Sequence, residues 1–175
     1  MMNKTLVKEM NDQINRELFS AYLYLAMSAY FESESLDGFA HWMKIQASEE
    51  FSHAMKFYNF IGERGEAVEL QAIDKPDSKF SSVQDIFEKT LTHEKFITKS
   101  INDLYVMAQK DNDNASIIFL DWFVTEQVEE EKNPSDILGK LKYIGKEGNG
   151  ILMMDKELSA RALPTFLPSG EIAGE

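Results

Sequence analysis

The chain reads as an all-α protein: four long helices in two antiparallel hairpins joined by a long crossover, with a short fifth helix near the C-terminus. Three observations predict this. Apolar residues recur at steps of three and four through four long segments, and nothing alternates as a strand would. Only 4 prolines and 9 glycines occur among 175 residues, thinly spread, so helices can run far without breakers. One connection, Gly65 to Ser81, is far longer than the others.

The first helix is predicted over about residues 4–33, with Met10, Ile14, Glu17, Ala21, Tyr24 and Ser28 on one stripe. The second, about 37–64, stripes Phe39, Met43, Gln46, Glu50, His53, Phe57 and Phe60. The third, about 82–110, stripes Val83, Phe87, Thr90, Glu94, Ile97, Ile101 and Leu104. The fourth starts near 114 and carries Ser116, Leu120, Phe123, Gln127 and Glu130. Turn-forming residues separate each pair: Ser33–Gly38 in the first hairpin and Asp111–Asn114 in the second. Pro134 falls where the fourth helix should continue, so a kink or break is expected just before it. Gly145, Gly148 and Gly150 are read as preceding the fifth helix, about 147–161. Its Met153 and Met154 are expected to bury it against neighbouring copies of the chain.

The 17 residues from Gly65 to Ser81 need a reason in a compact domain. Extended, they reach roughly 56–60 Å, and a helix of about 28 residues is about 42 Å long. The connection can therefore travel the length of the bundle, which makes the second and third helices parallel. Residues 1–175 are read as one domain, with a bundle at about 4–144, the short helix at 147–161 and a tail at 162–175.

A formal net charge of -12 disfavours nucleic acid or an anionic membrane surface as partner and favours cations. With no cysteine, disulfides, thiol catalysis, iron–sulfur clusters and Cys-based zinc sites are excluded, so any metal must be held by oxygen and imidazole. No run approaches the ~18 apolar residues of a membrane span. The start, Met1-Met2-Asn3-Lys4, lacks the layout of a signal peptide, and the cytoplasm is the expected compartment.

Each long stripe is interrupted by a polar residue where an apolar one belongs: Glu17, Glu50 with His53, Glu94, and Gln127 with Glu130. Glu17 lies 33 residues before Glu50, and Glu94 lies 33 before Gln127. The two halves superpose at an offset of 77, which also carries Glu49 onto Glu126. Residues equally far from an antiparallel turn share a level. The midpoints, near 34–35 and 111–112, fall inside the two turns. Each glutamate thus faces its partner motif, and i, i+3 pairs share one helix face. Four carboxylates and an imidazole would meet in a low-dielectric core, where they cannot all ionise without compensation. Two divalent ions supply four positive charges against them. Hard oxygen with one imidazole suits iron, manganese or zinc better than copper, magnesium or calcium.

Glu17, Glu50-Phe51-Ser52-His53, Glu94 and Glu126-Gln127-Val128-Glu129-Glu130-Glu131 resemble the ferroxidase motifs of ferritins, in the non-haem form of bacteria and archaea. The resemblance spans about residues 4–161 and implies a ferritin-like bundle. It implies that Glu17, Glu50 and His53 hold one iron, that bridging Glu50 and Glu94 hold the other, and that Glu130 is a further ligand. Gln127 would hydrogen-bond near the site. Two Fe(II) would reduce O2 or hydrogen peroxide, and Fe(III) would pass into the cavity of a 24-subunit homo-oligomeric shell to become mineral. Glu49, Glu126 and Glu129, sharing Glu130, resemble a third iron site. Phe51 stands where bacterioferritins carry a haem-binding methionine, and Glu130 where their last motif ends in histidine, so haem is not expected. Tyr24, two turns beyond Glu17, is a candidate to hydrogen-bond a ligand carboxylate or supply an electron. Trp122 is read as packing, and His41 and His93 as surface or interface residues.

Overall fold

The computed structural model describes residues 2–144 and 148–162. Five helices follow in order: α1 Lys4–Ser33, α2 Asp37–Glu63, α3 Val83–Lys110, α4 Asn114–Ile144 and α5 Gly148–Leu158. The tail predicted at 162–175 lies outside the described residues beyond Ala162, as does the expected first residue of α5.

Local chemistry sets the helix ends. The Asn3 side chain accepts from the Thr5 N–H at the start of α1, and Ser82 Oγ accepts from Asp85 N–H at the start of α3. Three helices end in the same backbone device: Leu36 N–H bonds Phe31 O, Glu66 N–H bonds Ile61 O, and Asp113 N–H bonds Ala108 O. Each device needs one residue in the left-handed region. These are Ser35 at φ 58°, Gly65 at φ 74° and Asn112 at φ 53°. Ser35 and Asn112, one in each hairpin turn, are themselves 77 positions apart, so the offset of the polar motifs is also that of the turns.

Helix α1 packs along α2 and α3 along α4, the two expected hairpins. The crossover follows α1 from end to end. Asn11 bonds Ala67 and Glu69, Asn15 bonds Ala72, and Phe80 meets Tyr30 edge-on at 5.6 Å between centroids. Progress of 13 residues in the loop thus spans 19 along α1, about 28 Å of helix. That traverse starts α3 at the end where α2 started and makes the two parallel.

Of the kink or break expected at Pro134, the break is absent: α4 runs through it as one helix. The missing N–H leaves the Glu130 carbonyl without its usual partner, a defect worth about 3 kcal/mol or more in a helix interior. Burial of Pro134, Ile137 and Leu141 on one face offsets it. Gly148 and Gly150 lie inside α5 instead of before it. Met154 is buried against this chain's own bundle, whereas Met153 is exposed.

The interior holds two apolar clusters. One gathers Tyr24, Met27, Phe31, Phe39, Met43 and Phe87 toward the α1–α2 turn. The other gathers Met10, Ile14, Phe57, Ile97, Ile101, Leu104 and Phe123 toward the α3–α4 turn. Between them lies a polar layer.

Candidate metal centre

Every long helix contributes to that layer. Glu17 from α1, Glu50 and His53 from α2, Glu94 from α3, and Gln127 and Glu130 from α4 are all buried. The four glutamates are exposed by only 1–4%. Their donor atoms converge in groups within 4.8 Å: Glu17 with Glu50 and His53, and Glu50 with Glu94 and Glu130. The two groups share Glu50.

Glu17, Glu94 and Glu130 are each held through one oxygen, and Glu17, Glu50 and Glu94 each leave an oxygen bare. Gln13 Nε2 donates to Glu17 Oε1 at 2.7 Å, the Tyr24 hydroxyl donates to Glu94 Oε1, and Gln46 Nε2 donates to Glu130 Oε2 at 2.7 Å. His53 Nδ1 lies 3.5 Å from Glu50 Oε2. Glu17 Oε2, Glu50 Oε1, Glu94 Oε2 and Gln127 Oε1 are buried with no partner. No lysine or arginine ion pair among the described residues involves these four glutamates. A buried carboxylate oxygen without a donor costs free energy, and several at one level mark a place built for cations.

Burial first, then mutual repulsion, sets the electrostatics. Desolvation raises the Glu50 carboxyl well above its ordinary range, with Glu17 and Glu130 adding to it. Desolvation likewise raises Glu94, with Glu50 and Glu130 adding. Glu130 is pushed up to about 7 by burial, although His53 and the Gln46 amide pull it down. Burial and the neighbouring Glu94 and Glu50 charges raise Tyr24 well above the usual phenol, keeping it a donor. An oxygen-rich pair of groups with a shared carboxylate and one imidazole fits two hard divalent ions.

The further carboxylates are placed unevenly. Glu126 joins His53 and Glu130 in a third convergent group, its Oε1 4.0 Å from His53 Nε2. Glu129 is exposed, and Glu49 turns to Arg161, 2.7 Å away. His93, expected at the surface or an interface, is drawn partly inward. It is half-buried, its Nε2 2.7 Å from Ser20 Oγ and its ring edge-on to Tyr24, and burial lowers it to about 4. Trp122 packs edge-on against His53 at 5.4 Å.

Sequence reasoning missed Gln13, Gln46 and Arg161. The two glutamines had a signal: each sits four residues before a stripe glutamate, and they share the 33-residue spacing of Glu17 and Glu50.

Two hairpins joined by a lengthwise crossover, with glutamates from four helices and one histidine at mid-level, define the class of carboxylate-lined metal bundles. The ferritin-like domain family matches residues 7–144. The bacterial non-heme ferritin of Campylobacter jejuni is 43% identical over 163 residues, covering 93% of this chain and 98% of that protein. Its Staphylococcus aureus counterpart is 41% identical over 161 residues, covering 92% and 97%. Among solved structures, an open pore ferritin from the archaeon Archaeoglobus fulgidus superposes with a TM-score of 0.91 at 45% identity, covering 93% of this chain and all of that one. The chain belongs to the ferritin family.

Proposed function

We propose that this chain is a ferroxidase subunit of an iron-storage shell, oxidising Fe(II) between its four helices and passing Fe(III) on for storage. The observation that carries this reading is the set of bare, buried carboxylate oxygens on Glu17, Glu50 and Glu94, in two donor groups that share Glu50. Glu17, Glu50 and His53 would take one Fe(II), and Glu50, Glu94 and Glu130 the other. Each Fe(II) loses one electron. O2 accepts both with two protons and leaves as hydrogen peroxide; with peroxide as oxidant, the same electrons and two protons give two waters. Anionic oxygen ligands favour the higher, harder charge of Fe(III), which lowers the cost of oxidation.

Three neighbours hold the ligands in place: Gln13 orients Glu17, Gln46 orients Glu130, and Tyr24 anchors Glu94. Tyr24 is also a candidate to lend an electron. Gln127 offers a carbonyl oxygen nearby. The names of the relatives support a storage role, and a homo-oligomer of 24 subunits is the assembly this reading requires. Of the third site suggested by Glu49, Glu126, Glu129 and Glu130, the geometry supports the Glu126–Glu130 half.

Stopped-flow absorbance of aerobic Fe(II) oxidation tests the reading. Glu50→Ala and His53→Ala are expected to slow the first two iron equivalents per subunit at least tenfold. Rates equal to the parent would reject the site.

A further inference from the structure

Arg161 lies three residues past α5, yet its guanidinium reaches α2 beside the dinuclear layer. Nη2 stands 2.7 Å from Glu49 Oε2, and the guanidinium carbon sits over the Trp42 ring at 4.8 Å. The pair is only about a fifth exposed, 23% at Arg161 and 21% at Glu49. Such a pair is screened less than a surface one.

Its position is built, not incidental. The Asp155 carboxylate accepts from the Phe39 N–H at 2.9 Å, capping α2, which has no side-chain cap of its own. Gly38 lets the Asp155 carbonyl approach where any Cβ would overlap it. His41 Nε2 lies 2.9 Å from the Arg161 carbonyl oxygen. These contacts bolt α5 and the following turn onto the first half of α2, leaving the guanidinium over Glu49. Glu126, whose charge Glu49 feels across the bundle, faces His53 and Glu130.

We infer that Arg161 is a resident cation for Glu49, withholding that carboxylate from a third metal ion and holding the subunit at two. The inference rests on the dinuclear reading above. An incoming ion at Glu49, Glu126 and Glu130 must displace a hydrogen-bonded, half-buried guanidinium. Without that charge, Glu49 becomes a free anion one residue from Glu50 and within the field of Glu126. The end of α5 thus sets metal stoichiometry through Glu49, as a positioning residue that touches no reacting atom.

Anaerobic calorimetric titration of the assembled protein with Co(II), checked by metal analysis after dialysis, reads the effect. The parent is expected to take two ions per subunit. Arg161→Gln is expected to take a third, at least tenfold tighter than any further binding by the parent. Adding Glu49→Gln is expected to abolish that gain, and Arg161→Lys, which keeps the charge, to bind as the parent does. An Arg161→Gln protein with the parent's stoichiometry and affinities would overturn the inference, as would a gain that survives Glu49→Gln. A parent taking fewer than two ions would count against the dinuclear reading. The difference between Arg161→Gln and parent would still decide the role of Arg161.

Discussion

Glu50 meets two opposed demands: it must be buried to bridge two groups of ligands, and burial beside Glu17 and Glu130 disfavours its charge. Metal-free protein therefore carries a pH-dependent defect. Glu50, Glu94 and Glu130 have carboxyls raised in the fold, Glu130 to about 7 from an ordinary 4.5. Between those values these carboxyls bind protons in the folded chain that the unfolded chain releases, so their contribution to stability is highest at the low end and is lost as pH rises through 7. Asp12, Asp85 and Asp113 lie below their ordinary range and act oppositely below about pH 4. Half-buried His93, lowered to about 4 from 6.5, acts oppositely between those two values, so the carboxylates alone govern the fall above about pH 6.5. With chelator present, Tm is expected to be higher at pH 6 than at pH 8. Co(II) should raise Tm more at pH 8 than at pH 6; equal metal shifts at both would contradict this. Glu50→Gln removes the charge but keeps the shape. The metal-free variant is expected to gain about 1–3 kcal/mol, roughly 2–12 °C in Tm, and to lose most of its stabilisation by Co(II). The meeting of these carboxylates was legible because a charged residue on an apolar stripe is conspicuous and the hairpin register fixes its level. Gln13 and Gln46 were less so, since an uncharged amide on a stripe raises no electrostatic contradiction.

At the scale of elements, periodicity and turn chemistry placed both ends of the first three long helices and the start of the fourth within about a residue of those observed. The crossover's direction followed from chain reach alone. The helix does not break at Pro134 because one lost backbone bond is offset by the apolar face that α4 buries around it. Arg161 was invisible for a different reason: its contact with Glu49 spans 112 positions and exists only because α5 docks on α2. That docking makes its own prediction. Gly38→Ala puts a methyl onto the Asp155 carbonyl and should displace α5, costing about 1–3 kcal/mol. Hydrogen exchange is the check: amides of residues 151–158 should lose protection while those of α1 and α3 keep theirs, and unchanged protection throughout would refute the clamp.

Across the whole molecule, two apolar clusters give the bundle its stability and a polar layer between them gives it chemistry. The layer weakens the metal-free fold, and under the proposed function divalent ions entering it would restore that stability. Anomalous diffraction from crystals soaked anaerobically in Fe(II) tests this most directly. Two peaks per subunit are expected inside the bundle, one among Glu17, Glu50 and His53 and one among Glu50, Glu94 and Glu130. Iron confined to the surface, with no peak between the four long helices, would contradict it.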